Sequence, residues 1–190
     1  MTVLYQITRG LNSKISEFYL SVCTTEYHFL CLSETWLSSD VSDSEFFPNY
    51  MKVYRCDRNF AACGKSRGGG VLLAHNMDIK SVATPIEGFN FPSVIDIVSV
   101  TVSYNTGNIS VIVLYIPPDV NQNTYDACIK SLTFVLSSLK SKVTFVVGDF
   151  NTPHFANPID ARSRTLANLP EFCDLYQAKK FVMYLIGFLT

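Results

Sequence analysis

Short apolar runs that end abruptly in polar residues recur along this chain. They are Phe29–Leu32 before Ser33 and Glu34, Ile109–Tyr115 before Pro117, and Val143–Val147, which Gly148 ends just before Asp149 and Asn151. Runs of this length, rich in β-branched and aromatic residues and followed by turn residues, predict buried strands. The polar residues then lie where the strands leave the sheet, the edge at which open α/β architectures collect ligands.

Periodic spacing predicts most of the remaining elements. The expected helices cover about residues 12–23, a segment capped by Asn123 and running to about Leu139, and part of Arg162–Gln177, where Pro170 should start or break the helix. Further strands are expected at Tyr50–Cys56 and at Val98–Tyr104, and the turn residues 105–108 join the second of these to the run ending at Tyr115 as a hairpin. This mixture of elements predicts an α/β protein that contains long antiparallel pairs.

A run of three glycines follows Arg67 and leads into a predicted strand at Val71–Ala74. A phosphate-binding P-loop requires a following helix and a Lys-Ser/Thr pair, and this segment has neither. We therefore interpret the glycines as a strand entrance where the backbone approaches its neighbours closely. No nucleotide cofactor is expected.

Composition narrows the function classes. The 190 residues are 48% apolar and only 16% charged, against about 25% charged residues in an average domain. The net charge of −1 gives no basic footprint for nucleic acid, and no apolar stretch reaches the ~20 residues of a membrane span. None of the six cysteines forms a C-x-x-C pair, so zinc spacing is missing. Free thiols, with Cys31 and Cys128 in the core, predict an intracellular protein, nuclear or cytoplasmic.

Each polar strand end also has an ordinary structural explanation. Asp149 and Asn151 are common turn residues. Glu34 could be a solvated loop residue, and Tyr115 could be a core tyrosine whose hydroxyl is satisfied internally. Taken one at a time, these residues do not define a site.

Taken together and in order, the segments resemble a known family. The matching segments are LCLSETWL (30–37), YRCDR (54–58), RGGGVLLA (67–74), LYIPP (114–118) and VVGDFNTPH (146–154). They resemble the endonuclease/exonuclease/phosphatase superfamily, and most of all the apurinic-type endonuclease domain of non-LTR retrotransposons. The resemblance extends from about residue 4 to residue 180, which implies a single domain over 1–180 and an apolar tail over 181–190.

The resemblance implies both a fold and a chemistry. The fold would be a four-layer α-β-β-α sandwich, with two mixed sheets flanked by helices. The chemistry would be hydrolysis of DNA phosphodiesters with Mg²⁺, or Mn²⁺ as an alternative. Glu34 matches the metal-binding glutamate, Tyr115 the tyrosine at the scissile phosphate, Asp149 the aspartate that handles a proton, and Asn151 the asparagine that orients the phosphate and that aspartate.

The chain also departs from the family pattern. Ile7 occupies the position of a metal-supporting asparagine, and an alkyl group cannot donate or coordinate. The 190 residues contain no Ser-Asp-His motif, and His154 directly after GDFNTP is not its equivalent. We therefore expect a C-terminally truncated domain that lacks the last strands, separated from the reverse transcriptase of its parent element.

These departures leave three functions open. The first is a DNA endonuclease, and the second is a non-catalytic transposon-derived remnant or interaction fragment. The third is a phosphatase of lipids or inositol phosphates. The segments LSETWL and GDFNTPH argue against it, because their sequences resemble the retrotransposon endonucleases. For this chain we expect little or no nicking activity.

Overall fold

The computed structural model describes residues 2–24, 26–65, 67–104, 107–152 and 158–172. Its strands are β1 (Val3–Ile7), β2 (Phe29–Ser33), β3 (Met51–Cys56), β4 (Val71–Asn76), β5 (Lys80–Ala83), β6 (Asp96–Tyr104), β7 (Gly107–Tyr115) and β8 (Val143–Asp149). Its α-helices are α1 (Ile15–Thr24), α2 (Phe60–Cys63), α3 (Gln122–Ser138) and α4 (Ala161–Phe172). Short 3-10 turns cover Asn12–Lys14, Asp43–Glu45 and Glu87–Phe89.

The strands form two four-stranded sheets, and both sheets are mixed. The first has the order β1-β2-β4-β3, with β1 parallel to β2 and the remaining pairs antiparallel. The second has the order β5-β6-β7-β8, with β7 parallel to β8 and the remaining pairs antiparallel. The expected α/β sandwich of two mixed sheets flanked by helices is confirmed.

Alternating side chains on each strand divide the core into three layers, because successive residues face opposite sides of a sheet. The middle layer, between the sheets, contains Phe29, Cys31, Val71, Val100, Val113 and Val147. On the outer face of the first sheet, Leu30, Leu32 and Leu72 pack against Phe18 and Val22 of α1. On the outer face of the second sheet, Ile112 and Leu114 pack against Tyr125, Ile129 and Leu132 of α3 and Leu166 of α4.

The expectation that Gly148 ends its strand is wrong. The strand β8 continues through Gly148 to Asp149, which pair in parallel with Leu114 and Tyr115. A Cβ at Gly148 would lie 1.9 Å from the Leu114 carbonyl oxygen. The glycine therefore permits a close approach between two strands, and it carries the sheet on to the polar residue beyond it.

Two helix boundaries also differ from expectation. Asn121, and not Asn123, caps α3, because its side chain accepts a hydrogen bond from the Thr124 backbone N–H at 2.9 Å. The helix α4 runs through Pro170 to Phe172. The expectation that Pro170 starts or breaks the helix is therefore wrong.

The other predicted elements occur where the pattern placed them. The first helix, the strand at 51–56, the strand after the glycines and the hairpin of β6 and β7 are confirmed. The strands β1 and β5 were not predicted. Residues 105 and 106 of the hairpin turn, His154 and the apolar tail 181–190 lie outside the described residues.

Cys31 and Cys128 are fully buried, as predicted, and Cys23, Cys31, Cys56 and Cys128 are free thiols. Burial raises the pKa of the Cys128 thiol to about 12. This residue is therefore a protonated core residue at neutral pH. Among the helices that the structure describes, none is long and apolar enough to cross a membrane.

Candidate active site at the shared edge of the two sheets

Polar side chains collect at one end of the middle layer, where β7 and β8 both finish. The strand register places Asp96, Tyr115 and Asp149 side by side across β6, β7 and β8. By alternation they point to the same face as the valines of the middle layer. Tyr115 is only 6% exposed and Asp96 only 2%. The second sheet therefore presents a row of three polar groups between the sheets.

Glu34 reaches the same place from the first sheet. It directly follows β2, with a left-handed backbone (φ 58°), and it is half-buried. Its carboxylate lies close enough to Tyr115 and Asp149 to raise the pKa of both groups. The Trp36 indole Nε1 also donates to Glu34 Oε2, at 2.5 Å. Glu34 is therefore a fixed member of the polar cluster.

Asn151 connects the end of β8 to its neighbour strand. Its backbone N–H donates to Asp149 Oδ1 at 3.0 Å, and its side-chain Nδ2 donates to the Ile116 carbonyl at 2.7 Å. Asn151 has φ 47°, a left-handed conformation that asparagine tolerates better than most residues. Asn151 thereby fixes the orientation of the Asp149 carboxylate through its main chain.

All four residues predicted from the sequence thus lie at one edge of the sandwich. The structure gives their positions, and their chemical roles stay predictions. His75 is buried in β4 and bonded to Ser81 Oγ at 2.8 Å. It belongs to the packing between the sheets.

The environment of the cluster favours neutral forms of two groups. Burial raises the pKa of the Tyr115 phenol far above its usual range, and Glu34 raises it further by hydrogen bonding and charge. Burial also raises the pKa of Asp149, with the negative charge of Glu34 adding to the effect. The Asn151 N–H and the Arg9 charge oppose the shift of Asp149. A carboxyl with a raised pKa suits proton transfer near neutral pH.

A buried ion pair next to Tyr115 was not predicted. Arg58 Nε and Nη2 lie 3.0 and 2.5 Å from Asp96 Oδ2, and the Gly70 N–H donates to the same oxygen at 2.7 Å. The Arg58 guanidinium also lies 5.2 Å from the centre of the Tyr115 ring. Arg58 belongs to the YRCDR segment, whereas the sequence contains no comparable signal for Asp96.

The glycine run explains how this pair fits into the site. A Cβ at Gly69 would lie 2.4 Å from Arg58 Nε, and a Cβ at Gly70 would lie 2.4 Å from Thr35 Oγ1. Gly69 and Gly70 have φ of 76° and 83°. These glycines therefore let the entrance to β4 pack directly against the residues around Glu34, as the interpretation of a strand entrance required.

Ile7 lies at the rim of this cluster. It is the last residue of β1, it pairs with Ser33, and it is 40% exposed. The residue just before Glu34 is thus bordered by an exposed alkyl group. The alkyl side chain of Ile7 offers no atom that could coordinate a cation.

The donor set fits a hard divalent cation. Mg²⁺ in proteins usually takes one or two carboxylates and completes its shell with water and substrate phosphate. Glu34 and Asp149 supply two carboxylates, and they are close enough that the charge of Glu34 raises the pKa of Asp149. Within the described ranges there is no group of three or more His, Cys, Asp or Glu side chains arranged for a metal. The two carboxylates are compatible with a cation site that a substrate phosphate completes.

Solved structures share this fold at low sequence identity. The endonuclease domain of TRAS1, a telomere-specific non-LTR retrotransposon, is 15% identical, with a TM-score of 0.64 over 89% of this chain and 68% of that one. The AP endonuclease LMAP from Leishmania major is 12% identical, with a TM-score of 0.65 over 90% and 66%. A 3′ phosphatase, NExo from Neisseria, solved with a product DNA hairpin, is 14% identical, with a TM-score of 0.59 over 90% and 71%. At these low identities, the three structures establish a shared fold and nothing further.

Sequence comparison makes the assignment specific. Residues 11–178 match the model of the endonuclease/exonuclease/phosphatase family, so this chain belongs to that family. No curated protein matches the chain by sequence.

Proposed function

We propose that this chain is a DNA endonuclease domain of the non-LTR retrotransposon type, which hydrolyses phosphodiesters with Mg²⁺ or Mn²⁺. One observation carries the proposal, namely that Glu34, Tyr115, Asp149 and Asn151 meet at one edge although they lie far apart in sequence. Family membership supports phosphodiester chemistry. The DNA bound to the Neisseria relative supports DNA as the substrate.

In this proposal Glu34 holds the cation, with the phosphate of the substrate completing its shell. The bound cation would supply Lewis-acid stabilisation of charge on the phosphate oxygens. A phenol is neutral at physiological pH, and burial raises the pKa of Tyr115 further, so its hydroxyl can donate to a phosphate oxygen without adding negative charge. A neutral donor is the appropriate group where negative charge accumulates.

Asp149 is the proton-transfer group in the proposed reaction. Burial raises the pKa of its carboxyl toward neutral pH. General acid–base catalysis by such a group typically increases the reaction rate by about 10²–10⁴-fold. Asn151 holds the carboxylate in place through its backbone N–H. Its own side chain, bonded to Ile116, is fixed at the same strand end.

Ile7 supports the further proposal that the activity is impaired. A hydrocarbon stands where the family has an asparagine that helps to hold the metal. The alternative, a non-catalytic remnant, rests on the same residue. The impaired endonuclease and the non-catalytic remnant have the same fold. They differ in whether the chain retains any cation-dependent cleavage of DNA.

Nicking of supercoiled plasmid tests the proposal. We expect slow nicking with Mg²⁺ or Mn²⁺, none with EDTA, and none from Asp149→Asn. Asp126→Asn is the matched control, because it makes the same chemical change on the exposed face of α3. If the parent chain nicks no faster than Asp149→Asn, the remnant reading replaces the endonuclease proposal.

A further inference from the structure

The segment that carries Glu34 is held in an unusual conformation. Glu34 and Trp36 both have left-handed backbones, with φ of 58° and 54°. The Glu34 carbonyl accepts hydrogen bonds from the Gly10 N–H at 2.8 Å and from Thr8 Oγ1 at 3.0 Å. On its other side, the Trp36 N–H donates to the Gly69 carbonyl at 3.0 Å. Left-handed conformations of ordinary residues persist where the surroundings determine them, and they cluster at functional sites.

The Trp36 indole lies between two neighbours that fix its plane. A Cβ on Gly10 would lie 2.8 Å from Trp36 Cε3, so only a glycine leaves room for the ring there. The Arg67 guanidinium lies 4.9 Å from the centre of the ring. Held in this way, the indole N–H is aimed at Glu34 Oε2, at 2.5 Å.

We propose that Trp36 is a positioning residue, which orients the Glu34 carboxylate for a divalent cation and responds to the binding of that cation. The proposal rests on the proposed function, because it takes Glu34 as the cation-binding group.

The chemistry of the indole suits this role. Its Nε1–H is a donor without acceptor capacity, so it can occupy one carboxylate oxygen and never competes for the cation. Hydrogen bonds to ligating carboxylates set their orientation, and their loss typically costs 10–100-fold in metal affinity or activity. A bond to Oε2 leaves Oε1 for the cation.

A spectroscopic test is available because Trp36 is the single tryptophan of the chain. Its indole N–H gives one resonance in a ¹H–¹⁵N NMR spectrum and needs no further assignment. In metal-free protein, we expect Glu34→Gln to move this resonance, because the charged acceptor is lost. Titration with MgCl₂ should shift it in the parent chain, and this shift should disappear in Glu34→Gln.

Calorimetric Mg²⁺ titration then measures the coupling. Trp36→Phe keeps an aromatic ring between Gly10 and Arg67 and removes the donor, and we expect it to weaken Mg²⁺ binding about tenfold or more. Tyr54→Phe is the control, since it also removes one hydrogen bond from an aromatic ring, here to Ser81 Oγ at 2.9 Å. The control should bind Mg²⁺ as the parent does, and circular dichroism checks that both variants are folded.

The outcomes separate the two proposals. If Glu34→Gln leaves the indole resonance of the metal-free protein unshifted, the proposed role of Trp36 is overturned, whether or not the protein binds Mg²⁺. Equal Mg²⁺ affinity in the parent and Trp36→Phe overturns it as well, while the proposed function stands. A parent chain that binds neither Mg²⁺ nor Mn²⁺ removes the proposed function and this inference with it.

Discussion

Replacing Arg58 by methionine is expected to destabilise the fold strongly. The Arg58 and Asp96 side chains are each only 3% exposed. The substitution leaves the Asp96 carboxylate buried with the Gly70 N–H as its described partner. Removing one member of a buried ion pair costs about 3–5 kcal/mol, because the other charge stays out of water without compensation. For a chain of this size that loss lowers the melting temperature by roughly 6–20 °C.

Urea unfolding followed by circular dichroism measures this loss. Lys65→Met is the control, because Lys65 pairs with Asp119 where the two side chains are 45% and 60% exposed, and exposed pairs contribute at most about 1 kcal/mol. Combining Arg58→Met with Asp96→Asn removes both charges and keeps an acceptor for Gly70. We expect this double variant to recover roughly 1–3 kcal/mol. An Arg58→Met loss below about 1 kcal/mol with an unchanged urea slope would refute the reasoning.

Three further substitutions test other parts of the site. Gly70→Ala should lower the free energy of unfolding in urea by about 1–3 kcal/mol, since φ is 83° and its Cβ would meet Thr35 Oγ1 at 2.4 Å. Gly64→Ala is the control, because no atom lies within 4 Å of its Cβ, and it should cost less. Equal losses of stability in the two variants would contradict the close-approach argument. Asp149→Asn should raise the free energy of unfolding of metal-free protein at pH 7. The folded carboxyl has a raised pKa and binds more protons than the unfolded one, so the parent loses stability as pH rises above 3.8; the gain should vanish below that pH, and a gain independent of pH would point to another cause. Ile7→Asn should strengthen Mg²⁺ binding and nicking about tenfold or more, and unchanged calorimetric affinity would exclude a role for this position.

The sequence was most informative where a polar residue follows a buried strand. Glu34, Tyr115 and Asp149 could be found because an apolar run identifies a strand and its end identifies an edge. That argument requires no knowledge of which strands are neighbours. The pairing of β7 with β8 then made two of these residues adjacent.

Other parts of the site carry no local signal. Asp96 lies 38 residues from Arg58, and as the first residue of β6 it looks like an ordinary polar residue before an apolar strand. The strand β5 is mostly exposed, so its four residues show no apolar pattern to detect. Gly148 was misread because glycine usually ends a strand, whereas here it relieves a contact with Leu114 that only the folded sheet creates. Long-range partners and close approaches are properties of the tertiary structure.

The division of the polar cluster between two sheets has a consequence for how such a domain can vary. Glu34 directly follows a strand of the first sheet, and Tyr115 and Asp149 belong to the second. The distance between these groups therefore depends on the thickness of the apolar middle layer between the sheets. Side chains such as Cys31 and Val113 therefore act as spacers. A methylene gained or lost there would change the distance between the opposing polar groups, so the geometry of the cluster can vary through positions that hold no polar atom.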